Sequence, residues 1–162
     1  MRMVQVYLAL GSNVGDSKKL IDDAIILLSA ALSDIVRASF YTSKAVGYTD
    51  QPDFLNTAIR GETDLSPLDL LKFVKDIEQQ VGRVYRFRWG PREVDIDIIF
   101  YDNLIMNTPI LSIPHPRFAE RDFVLRPIID IDANVVDPVS HMSLIEILKA
   151  LPVTDLAVYD NK

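Results

Sequence analysis

The sequence predicts an α+β fold: a ferredoxin-like β-α-β-β-α-β core, with an antiparallel sheet and helices packed on it, followed by a C-terminal strand and helix extension. Three observations lead there. Four β-rich runs fall within the first hundred or so residues. Two intervening segments repeat apolar residues every three or four positions. These segments come after the first and third runs, which sets the order of the motif.

Val4 to Leu10 is the first strand, closed by the turn residues Gly11-Ser12-Asn13. After Asp16-Ser17, residues Leu20, Ala24, Leu27, Leu28, Ala31 and Leu32 share one helical face. Val36 to Ser43 and Phe54 to Thr63 read as the second and third strands. The polar connection between them, through Gly47, Asp50, Gln51 and Pro52, is too long for a tight hairpin and is a candidate for function. Ser66-Pro67 opens the second helix. Ser66 caps free backbone N–H groups, Pro67 gives up no bond at the first helical position, and Asp69 suits the positive end. Its apolar face runs Leu68, Leu71, Val74, Ile77, Val81, and Gly82 is expected to end it. Val94 to Tyr101 is the fourth strand. A more irregular C-terminal third follows, with a helix expected from Ser143 to Leu151.

The 162 residues fit one domain, 1–162, and 49% hydrophobic with 25% charged residues is an ordinary globular balance. No repeat or Gly/Ser linker divides the chain. The longest nearly apolar run, Ala24 to Leu32, contains Ser29 and falls far short of the roughly 18 residues of a membrane span. The start of the chain reads as a strand rather than a signal segment. With no cysteine there is no disulfide and no Cys-type metal site, so a cytoplasmic setting is the default. Seventeen basic against 23 acidic residues, net −6, disfavours broad contact with nucleic acid or an anionic membrane. Nothing points to an obligate protein partner.

Charge is nevertheless uneven. Arg83, Arg86, Arg88 and Arg92 place +4 in a stretch with no acidic residue, which suggests a local anion site. With Gly82, Gly90 and Trp89 nearby, the stretch reads as a flap that closes over anions, against the plainer alternative of a solvated loop. After Glu93 comes Val94-Asp95-Ile96-Asp97-Ile98. Side chains alternate along a strand, so Asp95 and Asp97 share one face, roughly 7 Å apart. Paired carboxylates are hard oxygen ligands suited to Mg²⁺, which completes its shell with water and substrate phosphate. Two solvated aspartates on a strand are the alternative, although Asp is a poor strand former. The second Asp-x-Asp, Asp130 and Asp132, lies after Arg126-Pro127 in a turn-like segment with no basic cluster and reads as solvated.

Phe54, Trp89 and Phe123 fall near strand ends or loops, where two rings can sandwich a flat ligand, although core packing is the commoner fate of a single aromatic. His115 and His141 lack helical zinc spacing, and a phosphate contact suits His115 better. Neither a P-loop nor a Rossmann fingerprint is present. A ferredoxin-like module for single-stranded RNA, with sheet aromatics for stacking, is the rival reading. Net −6 and two acids on the exposed strand weigh against it.

Taken together, these segments resemble the 6-hydroxymethyl-7,8-dihydropterin pyrophosphokinase family. The resemblance is carried by Ala9 to Asn13, Asp50 to Asn56, Glu78 to Arg83, Arg88 to Ile99 and Ile113 to Arg117. It implies transfer of pyrophosphate from ATP to the hydroxymethyl oxygen of 6-hydroxymethyl-7,8-dihydropterin, in folate biosynthesis, with AMP as the other product. By the same resemblance Asp95 and Asp97 hold two Mg²⁺ ions, and Arg83 and Arg92 act with them in catalysis. The pterin pocket is implied at Ser43, Val46, Phe54, Asn56, Trp89 and Phe123. ATP contacts are implied at Glu78, Arg83, Arg92, Ile98, Ser112, His115 and Arg121. Phe54, Ala45 and Ile110 stand where better-known members carry Tyr, Pro and Arg.

Overall fold

The strand β1 (Val4–Ser12) is buried on both faces, which is why it reads as a continuous apolar run rather than an alternating one. Val6, Leu8 and Leu10 pack with α1 (Ser17–Leu28) and α2 (Pro67–Tyr85). Tyr7 and Ala9 pack with α3 (Asp122–Ile131) and α4 (Leu144–Lys149). The sheet therefore has helices on both faces and a separate apolar cluster in each layer. The computed structural model describes residues 2–44, 52–85 and 94–159, with only the helical backbone at 83–85.

β1 pairs antiparallel with β4 (Phe54–Thr63) on one side and with β5 (Asp95–Tyr101) on the other. The strand order is β5-β1-β4-β3-β8, where β3 is Tyr41–Ser43 and β8 is Ala157–Val158, and β2 (Ser33–Arg37) also pairs with β4. A small hairpin, β6 (Met106–Asn107) with β7 (Ser112–Ile113), lies beyond β5. Every pairing is antiparallel, so the fold is a mixed helix and antiparallel-sheet architecture.

Several boundaries differ from the sequence expectation. The second strand is broken into β2 and β3, because the Thr57 hydroxyl lies 3.0 and 3.1 Å from the carbonyls of Ala38 and Ser39 and bonds there in place of a ladder amide. α1 ends at Leu28, short of Ala31 and Leu32, and Leu32 packs instead on Gly61, where an added Cβ would meet Leu32 Cδ2 at 3.0 Å. α2 starts as expected, with Asp69 N donating to Ser66 Oγ at 3.2 Å, but runs through Gly82 to Tyr85. Helical glycine costs only about 1 kcal/mol against alanine, which the burial of Val74, Ile77 and Val81 offsets.

The C-terminal third is more ordered than the sequence suggests. α3 carries Pro127 in its interior, normally a penalty of about 3 kcal/mol, and persists because Val124, Leu125, Ile128 and Ile129 are buried. α4 is shorter than expected, with Ser143 capping it by accepting from Glu146 N at 3.2 Å. α3 and α4 cover much of the face bearing Tyr7, Ala9, Ala58 and Phe100.

Candidate active site

Two clefts meet at Asp97 of β5. Sheet register builds the first, of about 230 Å³. Gly11 is flanked by Asn56 on β4 and Asp95 on β5, and Ala9 is flanked by Ala58 and Asp97. Cross-strand partners project to the same face, so two small residues of β1 form a low floor between the carboxylates and the amide. Asn56 is buried, and its Nδ2 donates to Ser43 Oγ at 2.8 Å, which ties β4 to β3 beside the floor. Phe54 and Lys44 line the same wall.

The opposite wall comes from α3 and the residue before it. Phe123, Val124 and Arg121 line the cleft, and the Arg121 guanidinium stands 5.7 Å from the centre of the Phe123 ring. Phe54 and Phe123, 69 residues apart in sequence, thus open onto one space. The register also holds Asp95 and Asp97 on one face: Asp95 is exposed and Asp97 half-buried, while Ile96 and Ile98 are buried on the other side.

The second cleft, of about 300 Å³, wraps the free edge of β5. Asp97, Ile98, Ser112 and His115 line it, joined by Leu71 and Lys75 of α2 and by the β6–β7 hairpin with the exposed Ile110. Asp97 borders both clefts. The His115 backbone N–H donates to Ile99 O at 3.1 Å, and its Nδ1 accepts from Arg117 N at 3.1 Å. That pattern leaves the ring proton of the neutral form on Nε2. Burial pushes its pKa below the ordinary histidine value; Asp97 opposes the shift, and Arg121 and Arg117 add to it.

Of the expected site residues, Ser43, Phe54, Asn56, Asp95, Asp97, Arg121 and Phe123 gather in the first cleft, and Ile98, Ser112 and His115 in the second. Val46, Trp89 and Arg92 lie outside the described residues, as does the Arg83 side chain, and with them the flap expected over 83–92. Glu78 borders neither of these two clefts. Only 3% exposed, it accepts from Ile96 N at 2.7 Å and pairs with Lys75 at 3.3 Å, so it holds β5 from behind. Asp130 is exposed and Asp132 half-buried, as a solvated pair would be, but the first lies in a helix rather than a turn. Asp130 sits on α3, accepting from the Tyr41 hydroxyl and from Arg126, and Asp132 accepts from Asn134 N at 2.9 Å. Ala9, Gly11, Lys44 and Lys75 went unassigned, since only strand register and helix placement bring them to the clefts.

A ring-lined cleft joined to a second cleft through one shared carboxylate defines an enzyme acting on small ligands. Residues 7–133 match the family model described as 7,8-dihydro-6-hydroxymethylpterin-pyrophosphokinase. The 2-amino-4-hydroxy-6-hydroxymethyldihydropteridine pyrophosphokinase of Aquifex aeolicus is 43% identical, over 89% of this chain and 90% of its own length. The protein of that name from Bacillus subtilis is 42% identical, over 80% of this chain and 78% of its own. A folic acid synthesis protein of Dictyostelium discoideum is 46% identical over 85% of this chain, which spans only 21% of that longer protein. Among solved structures, Plasmodium falciparum HPPK-DHPS superposes with TM-score 0.76 at 15% identity, over 91% of this chain and 45% of the other, a likeness of fold. The chain belongs to the 7,8-dihydro-6-hydroxymethylpterin pyrophosphokinase family and has pyrophosphokinase activity on hydroxymethyldihydropterin in folate biosynthesis.

Proposed function

We propose that the first cleft binds the pterin, the second binds ATP, and the carboxylates between them hold Mg²⁺ against the phosphates. The observation that carries this reading is the position of Asp97 on the border of both clefts. Two substrates held on either side of one carboxylate have a short, direct path for group transfer. In the reaction the pterin hydroxymethyl oxygen bonds to the β-phosphorus of ATP, the bond from that phosphorus to the α,β-bridging oxygen breaks, AMP leaves, and the hydroxyl proton passes to solvent.

Asp95 and Asp97 suit Mg²⁺ by chemistry and number. Among the described residues no cluster of three or more acidic or histidine ligands exists, and Mg²⁺ takes one or two carboxylates while water and phosphate fill its remaining positions. Bound there, Mg²⁺ would neutralise charge on the phosphate oxygens. The side chains supply the remainder. Phe54 and Phe123 stack on the flat ring, Asn56 and Ser43 hydrogen-bond its polar edge, and His115 donates from Nε2 to a phosphate oxygen. Arg121 lines the first cleft together with Asp97, and the family resemblance implies that it, with Arg83 and Arg92, contacts the phosphates. No covalent nucleophile is required, since orientation alone can supply roughly 7–11 kcal/mol in such transfers.

The strand order, with β2 and β3 together in the place of one strand, supports a single ferredoxin-like domain with α3, α4 and β8 as its extension. Among the described residues no helix is long and apolar enough to cross a membrane. The decisive assay is AMP formation from ATP, with and without 6-hydroxymethyl-7,8-dihydropterin, in Mg²⁺ and in EDTA. AMP that appears only with both pterin and Mg²⁺ is the expected result. Pterin-dependent AMP formation that persists in EDTA would overturn the metal assignment.

A further inference from the structure

We propose that Tyr41 is a positioning residue for the pterin slot: by donating to Asp130 it clamps β3 to α3 and sets the separation of the two walls that face the ring. The inference rests on reading the first cleft as the pterin site. One wall, Phe54 with Ser43 and Asn56, belongs to the hydrogen-bonded sheet; the other, Phe123 and Val124, belongs to the first turn of α3. Helix and sheet meet there through side chains, and such a contact shifts more readily than a strand ladder. Ring stacking depends steeply on that separation, because a gap of 0.5–1 Å already forfeits about a quarter to a half of the dispersion well.

The clamp has the geometry to fix it. The Tyr41 hydroxyl donates to Asp130 Oδ2, and Arg126 Nη2, one turn earlier on α3, donates to Asp130 Oδ1 at 3.1 Å. Both bonds are charge-assisted and Tyr41 is only 6% exposed. On β3, Tyr41 and Ser43 lie two residues apart and share a face. On α3, Asp130 and Phe123 lie seven residues apart, two helical turns or roughly 10.5 Å, again on one face. Clamp and slot are therefore the two ends of one β3–α3 contact. Tyr41 is also the cross-strand partner of Asn56.

Pro127, between Asp130 and Phe123, explains why a tertiary tie is needed. Without an N–H it cannot bond the Phe123 carbonyl, so the turn that carries the stacking ring lacks one of the helix's own restraints. The bond from Tyr41 replaces that restraint from the sheet side.

The test uses the full chain, steady-state AMP formation with each substrate titrated in turn, and thermal unfolding. Tyr41→Phe and Asp130→Ala are expected to raise the pterin KM about five- to tenfold, leaving kcat and the ATP KM within about twofold. Asp130→Asn, whose amide oxygen still accepts from Tyr41, should restore most of the pterin affinity, and the double variant Tyr41→Phe/Asp130→Ala should be no worse than the worse single. Phe123→Ala is the control for the slot. If Phe123→Ala raises the pterin KM and Tyr41→Phe does not, the clamp alone is overturned. A lower Tm and lower kcat with an unchanged pterin KM would make Tyr41 merely structural and overturn it as well. If Phe123→Ala leaves the pterin KM unchanged, the slot reading falls and the clamp falls with it.

Discussion

Gly11 and Asn56 face each other across β1 and β4, and a methyl group added at Gly11 would stand 3.2 Å from Asn56 Oδ1. The glycine is a matter of close approach, since a side chain there crowds the amide beside the cleft floor. Gly11→Ala is therefore expected to push Asn56 by a few tenths of an ångström and weaken its 2.8 Å bond to Ser43 Oγ. The pterin KM should rise about tenfold with Tm nearly unchanged, as measured by substrate titration and calorimetry. A pterin KM equal to that of the parent would show that Asn56 does not read the ring.

Asp97→Ala should lower turnover by orders of magnitude, because it removes the carboxylate shared by the two clefts. It should leave Tm within a few degrees, since the side chain is only half-buried. Rapid-quench measurement of AMP together with thermal unfolding separates the two effects. Near-parent turnover would remove the metal assignment.

Glu78 acts on the same strand from behind. Glu78→Leu leaves the Ile96 amide without its acceptor and is expected to cost about 1–3 kcal/mol in chemical denaturation, with turnover falling as Asp95 and Asp97 shift. Glu78→Gln keeps an acceptor oxygen and should recover most of both losses. Equal damage from Gln and Leu would mean that the charge, not the tether, matters.

His115 sets a pH dependence. Its folded-state pKa lies below the ordinary value of 6.5 because burial disfavours the imidazolium. Below pH 6.5 the unfolded chain therefore takes up a proton that the folded chain refuses. The stability contributed by the neutral ring is complete above pH 6.5 and is lost as pH falls from there through the folded value. Replacing it with Asn should flatten that part of the acid limb in urea titrations at stepped pH. An acid limb of unchanged slope would assign the loss to other groups.

How much was legible follows from the range of each signal. Local chemistry carried far: Ser66-Pro67 marked the start of α2, and Asp95-x-Asp97 announced two carboxylates on one face because alternation is a property of the strand itself. Gly82, expected to end α2, and Pro127, inside α3, show the opposite. Each is a local helix breaker, and each is overruled by apolar burial made with distant residues. The break between β2 and β3 depends on the hydroxyl of Thr57, on another strand.

The order of strands and helices, the acidic pair and the family were written in the linear chain, because turn chemistry, periodicity and motif spacing act over a few residues. What the tertiary structure alone decided is the cleft: the meeting of Phe54 and Phe123 on one space, the small floor of Ala9 and Gly11, the placing of Asp97 between two spaces, the tether from Glu78 to the Ile96 amide and the bond from Tyr41 to Asp130. Each depends on strand register or on the seating of a helix against the sheet, and those are set by packing among residues far apart in sequence.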